Sequence, residues 1–491
     1  MSFATRRFEF IGLRRPVQVI QLDGTPGTIE ESYLDSSATS LMPIPVDRVL
    51  HEYLLSAQAN SHTHASARGR ATTKAIEDTR ALVLNLVGGG PNDAAVFVGN
   101  GSTGALNLAA QILYPTLPVA KDPKPIALIS EMEHHSNMLP WRRAANGRMG
   151  VSQGLDFVKY FPVRDDCTVD LSQLRAMLAM YRGRVRVVAV SAMSNVTGAI
   201  VDVHAIAAMA HEAGAVVVID AAQAAPHIPI AMHTSDPAET LDFIALSGHK
   251  LYAPGSPGVL VASKDALASA AWRTGDVGGG IIDRVEFDSV TLIDDVARRL
   301  EAGTPNILGI VTLGAAILFL QDLGMDSIRE HEIKLTRQAL AGLSAIPSCV
   351  VYGPMDATMR GGIVSFNLFG LAHGLVAAVL NDYFGIAVRN DCFCAQPLVR
   401  RLLDAVCNQR GVCSPRDEGR RGMVRASFSP FTTEADVRRL VIAVQWIVLN
   451  ETALREAYDH DGGVFTHKTF RPELPFDLEA AYRRSYGADR D

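Results

Sequence analysis

Asp220 and Lys250 are the two residues of this chain whose types and setting most directly allow chemistry. Asp220 closes an apolar run, AVVVID, and Lys250 follows a second one, LDFIALSGHK. If these runs are neighbouring strands, a carboxylate and an amine face two ends of one flat space. A lysine amine condenses with an aldehyde, and a carboxylate keeps a ring nitrogen protonated. Pyridoxal phosphate needs that pair. The same two residues also fit an ordinary αβ crossover that exposes an Asp and a Lys at its turns.

Other polar residues stand where a ligand would meet them. Gly101-Ser102-Thr103-Gly104 lies between a strand-like and a helix-like segment. Glycines let the backbone turn closely, and a helix N-terminus offers N–H groups to an anion. No lysine follows, so this is not a Walker motif, and a plain helix cap fits it too. His134 and His135 follow another strand; a His there can stack on a ring or move a proton, or simply face solvent. Arg389 and Arg425 sit at strand ends, and a guanidinium fork matches a carboxylate. Cys392-Phe393-Cys394 comes just after Arg389, where a cysteine beside cations can act as a nucleophile. Cys392, Cys394, Cys407 and Cys413 are spaced C-x-C-x12-C-x5-C, which is not a usual structural zinc pattern. No metal is assigned.

The elements that must position these residues alternate. Residues 94–98, 126–129, 185–191, 215–219 and 241–246 read as strands, and 105–113 and 205–213 as helices. Such alternation predicts an α/β fold with a large, mostly parallel sheet covered on both faces. Ligands then sit at the carboxyl ends of the strands, where Ser102, His134, Asn195, Asp220 and Lys250 fall. After about residue 305 the texture becomes that of a smaller α+β domain. Helices are predicted at 308–323, 328–343 and 434–447, and strands at 361–368, 387–389 and 423–428. The expected organisation is an N-terminal arm (1–32) packing with the small domain, a large domain (33–305), a small domain (306–460) and a tail or lid (461–491).

The chain has 491 residues, 48% of them hydrophobic and 20% charged, the balance of a globular protein with a large core. A net charge of −6 without a long basic run excludes nucleic acid as an expected partner. The most apolar window, 307–320, is too short and too rich in Gly and Ala for a membrane span and predicts a buried helix. The first residues, MSFATRRFEFIGLRR, lack the apolar core of a secretory signal, so a cytoplasmic location is expected. Six cysteines in a chain of this length are no disulfide scaffold.

Taken together, several segments resemble the class V aminotransferase family of fold-type I pyridoxal phosphate enzymes. Within it they are most similar to the group II cysteine desulfurases, and selenocysteine lyases share the pattern. The segments are YLDSSATS (33–40), GSTGALNL (101–108), MEHHSNMLPW (132–141), SNVTG (194–198), VIDAAQA (218–224), SGHKLYAPGSPGVL (247–260), EAGTPN (301–306) and CAQPL (394–398).

The resemblance implies a role for each matching residue. Lys250 would bind the cofactor aldehyde and move the substrate α-proton. Asp220 would pair with the ring nitrogen, and His134 would stack on the ring. Gln223 and Asn195 would contact the ring hydroxyl and the substrate side. Ser102, Thr103, Ser247 and His249 would hold the phosphate. Thr304 would reach the phosphate of a partner subunit, which implies a homodimer. Arg425 with Arg389 would clamp the carboxylate of an amino-acid substrate, cysteine or an analogue. Cys394 would take the sulfur as a persulfide, leaving alanine, and a sulfur-acceptor protein would be a further partner.

The sequence departs from the family at Cys392, where a His or other polar residue is usual. A resolving role for this second thiol, across a strained C-x-C pair, is one reading of that change. Gly104 stands where Glu is common, and the stretch from Cys394 to Arg425 is longer. A C–S lyase working by β-elimination, another biosynthetic enzyme of the family and a cofactor-free scaffold are the competing readings. Lys250, Asp220 and His134 argue against the scaffold.

Overall fold

The apolar runs of the first part of the chain become one sheet. The computed structural model describes residues 3–13, 15–61, 63–114, 125–146, 157–270, 275–410 and 421–487. Among them, seven strands pair: β1 (Asp93–Val98), β2 (Ile126–Ser130), β3 (Val158–Phe161), β4 (Val185–Ser191), β5 (Val216–Asp220), β6 (Phe243–Ser247) and β7 (Gly258–Ser263). Their order is β1-β7-β6-β5-β4-β2-β3. β7 runs antiparallel to β1 and β6, and the pairs from β6 to β3 are parallel. The mostly parallel α/β sheet read from the sequence is therefore present.

Side chains alternate between the two faces of this sheet. Ile126, Leu128, Val217, Ile219, Ile244 and Leu246 enter one apolar cluster. Ala127, Ile129, Val218, Phe243 and Ala245 enter the other. Both faces are buried, which is why these strands read as continuous apolar runs. The helix Gly101–Leu113 adds Ala105, Leu106 and Ala109 to the second face. The helix Ile307–Leu323 adds Ile310, Leu313, Ile317 and Leu320 to the first, so the large core draws on residues past 305. It lies against the helices Ile44–Ser56 and Ala67–Leu86. A Cβ at Gly314 would lie 2.4 Å from Thr79 Oγ1, so only glycine allows this approach. Among the described residues no single helix is long and apolar enough to cross a membrane.

The second part is a four-stranded antiparallel sheet of β8 (Cys349–Tyr352), β9 (Ile363–Leu368), β10 (Arg389–Asp391) and β11 (Met423–Ser427), ordered β8-β9-β11-β10. The helices Met325–Ser344, His373–Phe384 and Glu434–Leu449 share one apolar cluster with it, through Leu335, Val379 and Leu440 among others. Thr433 and Asp436 form a reciprocal capping box at the start of the last helix. Asp436 also pairs with Arg7 at 2.9 Å, tying the N-terminal segment to this part.

The segment before residue 33 has more order than its sequence suggested. Pro16–Ile20 and Pro26–Glu30 pair as an antiparallel ribbon against the helix His373–Phe384. Phe10 sits in the large core beside Tyr252, Phe319 and Phe431. Beyond the last core helix lie a hairpin, Tyr458–Asp461 with Val464–His467, and a helix, Leu478–Gly487.

One short connection matters for the site. Ser32–Tyr33 pairs in parallel with Ile386–Ala387, and Ser427 N donates to Leu34 O at 2.8 Å. Residues 35–38 are thereby laid beside β11, next to Arg425.

Candidate active site

The carboxyl ends of β4, β5 and β6 lie side by side, with Ser191 opposite Asp220 and Asp220 opposite Ala245 in register. They open onto a cavity of about 300 Å³ lined by residues from both parts of the chain. Of the residues to which the resemblance gives a role, all line it except Thr304; His135 and Cys392 do not line it.

Asp220 is buried, and its Oδ1 accepts from Ala222 N at 3.0 Å. Burial raises its pKa, against which Ala222 and Lys250 act weakly. A cation placed against it would offset that burial. Lys250 ends the turn Gly248–Lys250 that follows β6. A Cβ at Gly248 would lie 2.0 Å from Ser256 Oγ and 2.8 Å from Pro257 O, so this tight turn requires glycine. Ser40 Oγ donates to Lys250 O at 2.7 Å and holds the backbone. Burial pushes the Lys250 amine down to about 8, partly opposed by Asp220. An amine that gives up its proton near neutrality suits condensation with an aldehyde and proton transfer.

His134 follows β2. Its Nδ1 accepts from Ser136 N at 3.0 Å, which puts the proton of the neutral ring on Nε2. Burial and the nearby Lys250 push its pKa down to about 4. At neutral pH it is a flat, uncharged ring with one N–H, and not an imidazolium acid. Beneath it lies Glu133, fully buried. Its carboxylate accepts from Ser130 Oγ, from Ser191 N (2.9 Å) and Oγ (2.6 Å), and from Asn137 Nδ2 (2.6 Å). Burial nonetheless pushes it up to about 7. Glu133 locks the loop that carries His134 onto the end of β4.

At the other end, Asn100 precedes the helix Gly101–Leu113 and no side chain caps it. The first-turn N–H groups thus face a space lined by Ser102, Thr103, Ser247 and His249. Gly101 has φ +59°, and a Cβ there would lie 2.7 Å from Ser247 Oγ. Such an end attracts an anion. Thr103 Oγ1 bonds Ser136 Oγ at 2.7 Å, joining this end to the His134 loop. Gln223 Nε2 donates to Ser37 O at 2.8 Å, while its buried Oε1 has no partner among the described residues.

The third side comes from the small sheet. Arg425, on β11, is buried. It donates to Asn195 O at 2.8 Å, faces Asp35 Oδ1 at 3.5 Å and lies 4.7 Å over the Phe393 ring. Burial pushes it down to about 10, with Asp35 acting the other way. Its Nε has no partner among the described residues. Arg389, exposed, stands opposite Arg425 in register. Asn195 Nδ2 donates to Phe393 O at 2.8 Å, and His135 N donates to Cys394 O at 2.7 Å. The cysteine loop is thus pinned to the large part by its carbonyls, while the Cys394 side chain is exposed and lines the cavity.

Thr304 falls elsewhere, in a second cavity of about 560 Å³ with Gln111, Asp276 and Asn306. Its loop is fixed by Glu301, which pairs with Arg80 at 2.8 Å and accepts from Phe97 N at 2.6 Å. Among the site residues that the sequence does not single out are Asp35 and Glu133. Both lie inside motifs that were legible, YLDSSATS and MEHHSN; what the sequence lacked was the packing that buries them. Of the four clustered cysteines, Cys392 and Cys394 are free thiols and Cys407 is disulfide-bonded, so it supplies no thiolate for a metal. Cys413 lies outside the described residues.

A family model described as Aminotransferase class-V matches residues 32–440. A cysteine desulfurase of Dickeya dadantii is 36% identical over 455 residues, covering 91% of this chain and 98% of the relative. One from Pectobacterium carotovorum is 33% identical, covering 88% and 96%. Among solved structures, a cysteine desulfurase of Thermococcus onnurineus superposes with a TM-score of 0.73 at 29% identity, covering 86% of this chain and 95% of that one. An Escherichia coli cysteine desulfurase gives 0.72 at 28%, covering 91% and 99%.

Proposed function

This chain belongs to the class-V aminotransferase family, and on that premise we propose that it is a pyridoxal-phosphate-dependent cysteine desulfurase. The substrate is L-cysteine or a close analogue, the products are alanine and a persulfide on Cys394. The observation that carries this reading is the meeting of Cys394 and Arg425 with Lys250, Asp220 and His134 in one cavity.

The residues fit the cofactor. Asp220, whose burial calls for a cation, suits the ring nitrogen. The uncapped helix end, the Gly101 cradle, Ser102, Thr103, Ser247 and His249 suit the phosphate. The unpartnered Gln223 Oε1 suits a donor on the ring edge. When bound, pyridoxal phosphate withdraws electrons from the substrate Cα and so loosens its neighbouring bonds.

The protein's own residues supply the rest. Arg425 offers its free Nε toward the substrate carboxylate, with Arg389 as the outer cation. Asn195, Asp35 and Phe393 fix the Arg425 plane. Lys250, neutral above about pH 8, takes the α-proton and returns it. Neutral His134 presents an uncharged face and one N–H donor. Cys394 attacks the substrate sulfur as a thiolate: a S–S bond forms, and the C–S bond breaks with its electrons going to carbon. An exposed thiol on a loop reaches that sulfur, which the buried Cys167 and Cys349 do not.

A homodimer fits the position of Thr304 in a separate cavity, as a residue serving the other subunit's phosphate would be. A sulfur-acceptor protein would draw on the exposed Cys394. Product analysis of the holoenzyme with cysteine tests the reading. Alanine in step with sulfur release is expected. Pyruvate and ammonia instead would favour β-elimination and overturn it.

A further inference from the structure

The loop after β10 holds two thiols in one tight turn, and the reaction above uses only one. Ala395 N donates to Cys392 O at 2.9 Å, closing a four-residue turn. Both central residues have positive φ, 51° at Phe393 and 55° at Cys394, the pattern of a type I′ turn. Two residues apart on so bent a chain, the Cα atoms of Cys392 and Cys394 stay within about 7 Å. Disulfides bridge Cα atoms roughly 4.4–6.8 Å apart. Burial, with the neighbouring Asp391 carboxylate, holds the Cys392 thiol above the usual thiol range, while the backbone N–H of Cys394 acts the other way. Asp391 Oδ1 also holds Cys392 N at 2.7 Å. Cys392 is half-buried and Cys394 exposed, and both are free thiols.

We propose, resting on the desulfurase reading, that Cys392 is a resolving thiol that discharges the Cys394 persulfide as hydrosulfide without an acceptor protein. The Cys392 thiolate attacks Sγ of Cys394. A Cys392–Cys394 bond forms, and the bond from Cys394 Sγ to the terminal sulfur breaks. Its electron pair leaves with hydrosulfide, and the Cys392 proton passes by way of Asp391 to water. The two cysteines are oxidised to a disulfide while the sulfane sulfur is reduced to sulfide. Two equivalents of an external thiol then reduce the disulfide and are oxidised in turn. A C-x-C disulfide is strained, and strained disulfides are the readily reduced ones, so the pair is suited to recycling.

The test uses holoenzyme, one equivalent of cysteine per site and no reductant, followed by alkylation and mass analysis of the tryptic peptide 390–400, which contains both thiols. Wild type is compared with Cys392→Ala and Cys392→Ser. In all three, alanine should form in the first turnover. Wild type should release about one sulfide per site and yield a peptide two hydrogens lighter that takes no alkyl group. The variants should hold a persulfide on Cys394 and release sulfide at least about tenfold more slowly. Alanine formation with a lasting Cys394 persulfide in wild type, sulfur found on Cys392, or equal sulfide release from all three would overturn the proposal alone. Absence of alanine from all three would overturn the desulfurase reading, and the proposal with it.

Discussion

Asp220 and Ser247 end adjacent strands of a sheet buried on both faces, whereas Cys394 sits exposed in a loop where Asp391, Phe393 and Cys394 all have positive φ. The first region holds its groups by strand register, with β4, β5 and β6 fixing where Ser191, Asp220 and the Lys250 turn stand. The second holds its thiol by two carbonyl anchors, Asn195 to Phe393 O and His135 to Cys394 O, and leaves the side chain free. Non-glycine residues with positive φ each cost about 1–3 kcal/mol, a cost the surrounding contacts must offset. The difference follows the chemistry. A ring and a phosphate must be held still, while a sulfur acceptor must reach in, take its load and present it again.

Substitutions on the two sides should therefore fail differently. The largest effect is expected for Lys250→Ala. Loss of its proton transfer alone costs roughly 10²–10⁴-fold, and loss of the cofactor's covalent anchor adds to it. Turnover should vanish together with the spectral change that cysteine causes in the holoenzyme. A variant that keeps that spectral change and turns over would break the contrast. Next comes Arg425→Ala, which leaves only the exposed Arg389 to meet the substrate carboxylate and to face Asp35. Truncating one member of a buried charge pair costs about 2–5 kcal/mol, so kcat/KM for cysteine should fall by roughly 30- to 4,000-fold, mostly through KM.

A smaller effect sharpens the same contrast through pH. Burial lowers Lys250 to about 8, so its amine is charged below that pH and neutral above it. The rate at which apo-protein takes up pyridoxal phosphate should rise with pH to about 8 and then level off. Asp220 opposes the shift, so in Asp220→Asn the same rise should move to lower pH. A profile unmoved by that change would mean that the two groups do not sense each other. The smallest effect is expected for Glu133→Ala, measured by denaturant unfolding. It leaves buried donors at Ser191 and Asn137 unpaired and should cost about 1–3 kcal/mol of stability. In the wild type Glu133 is raised from 4.5 to about 7. The native state therefore holds its proton over that range, and this group's contribution to stability falls as pH rises from 4.5 to 7.

The two regions also differed in how far they could be read from sequence. Strands predicted at 94–98, 126–129, 185–191, 215–219 and 241–246 lie within two residues of β1, β2, β4, β5 and β6, because double-sided burial writes itself as an apolar run. β3 was missed: VKYF is short, and only its two ends are buried. β7 was missed because GVLVAS follows the turn-rich APGSP, and no local pattern announces an antiparallel strand. The N-terminal ribbon was missed because its strands lie largely on the surface. The groups facing the cavity were legible where a strand end or glycine turn carried them, as at Asp220, Lys250 and Ser102. Asp35 and Glu133 were not, because their positions depend on contacts between distant segments. The turn at 391–395 was invisible for the same reason: no glycine marks its positive φ values.

The central claim is that Cys394 takes the sulfur from a substrate held on the strand-end side. A single-turnover comparison of wild type with Cys394→Ala tests it most directly, following both alanine and the absorbance of the bound cofactor. Wild type should form alanine. Cys394→Ala should show the same absorbance change on adding cysteine and form none. Alanine at the wild-type rate from Cys394→Ala would contradict the account.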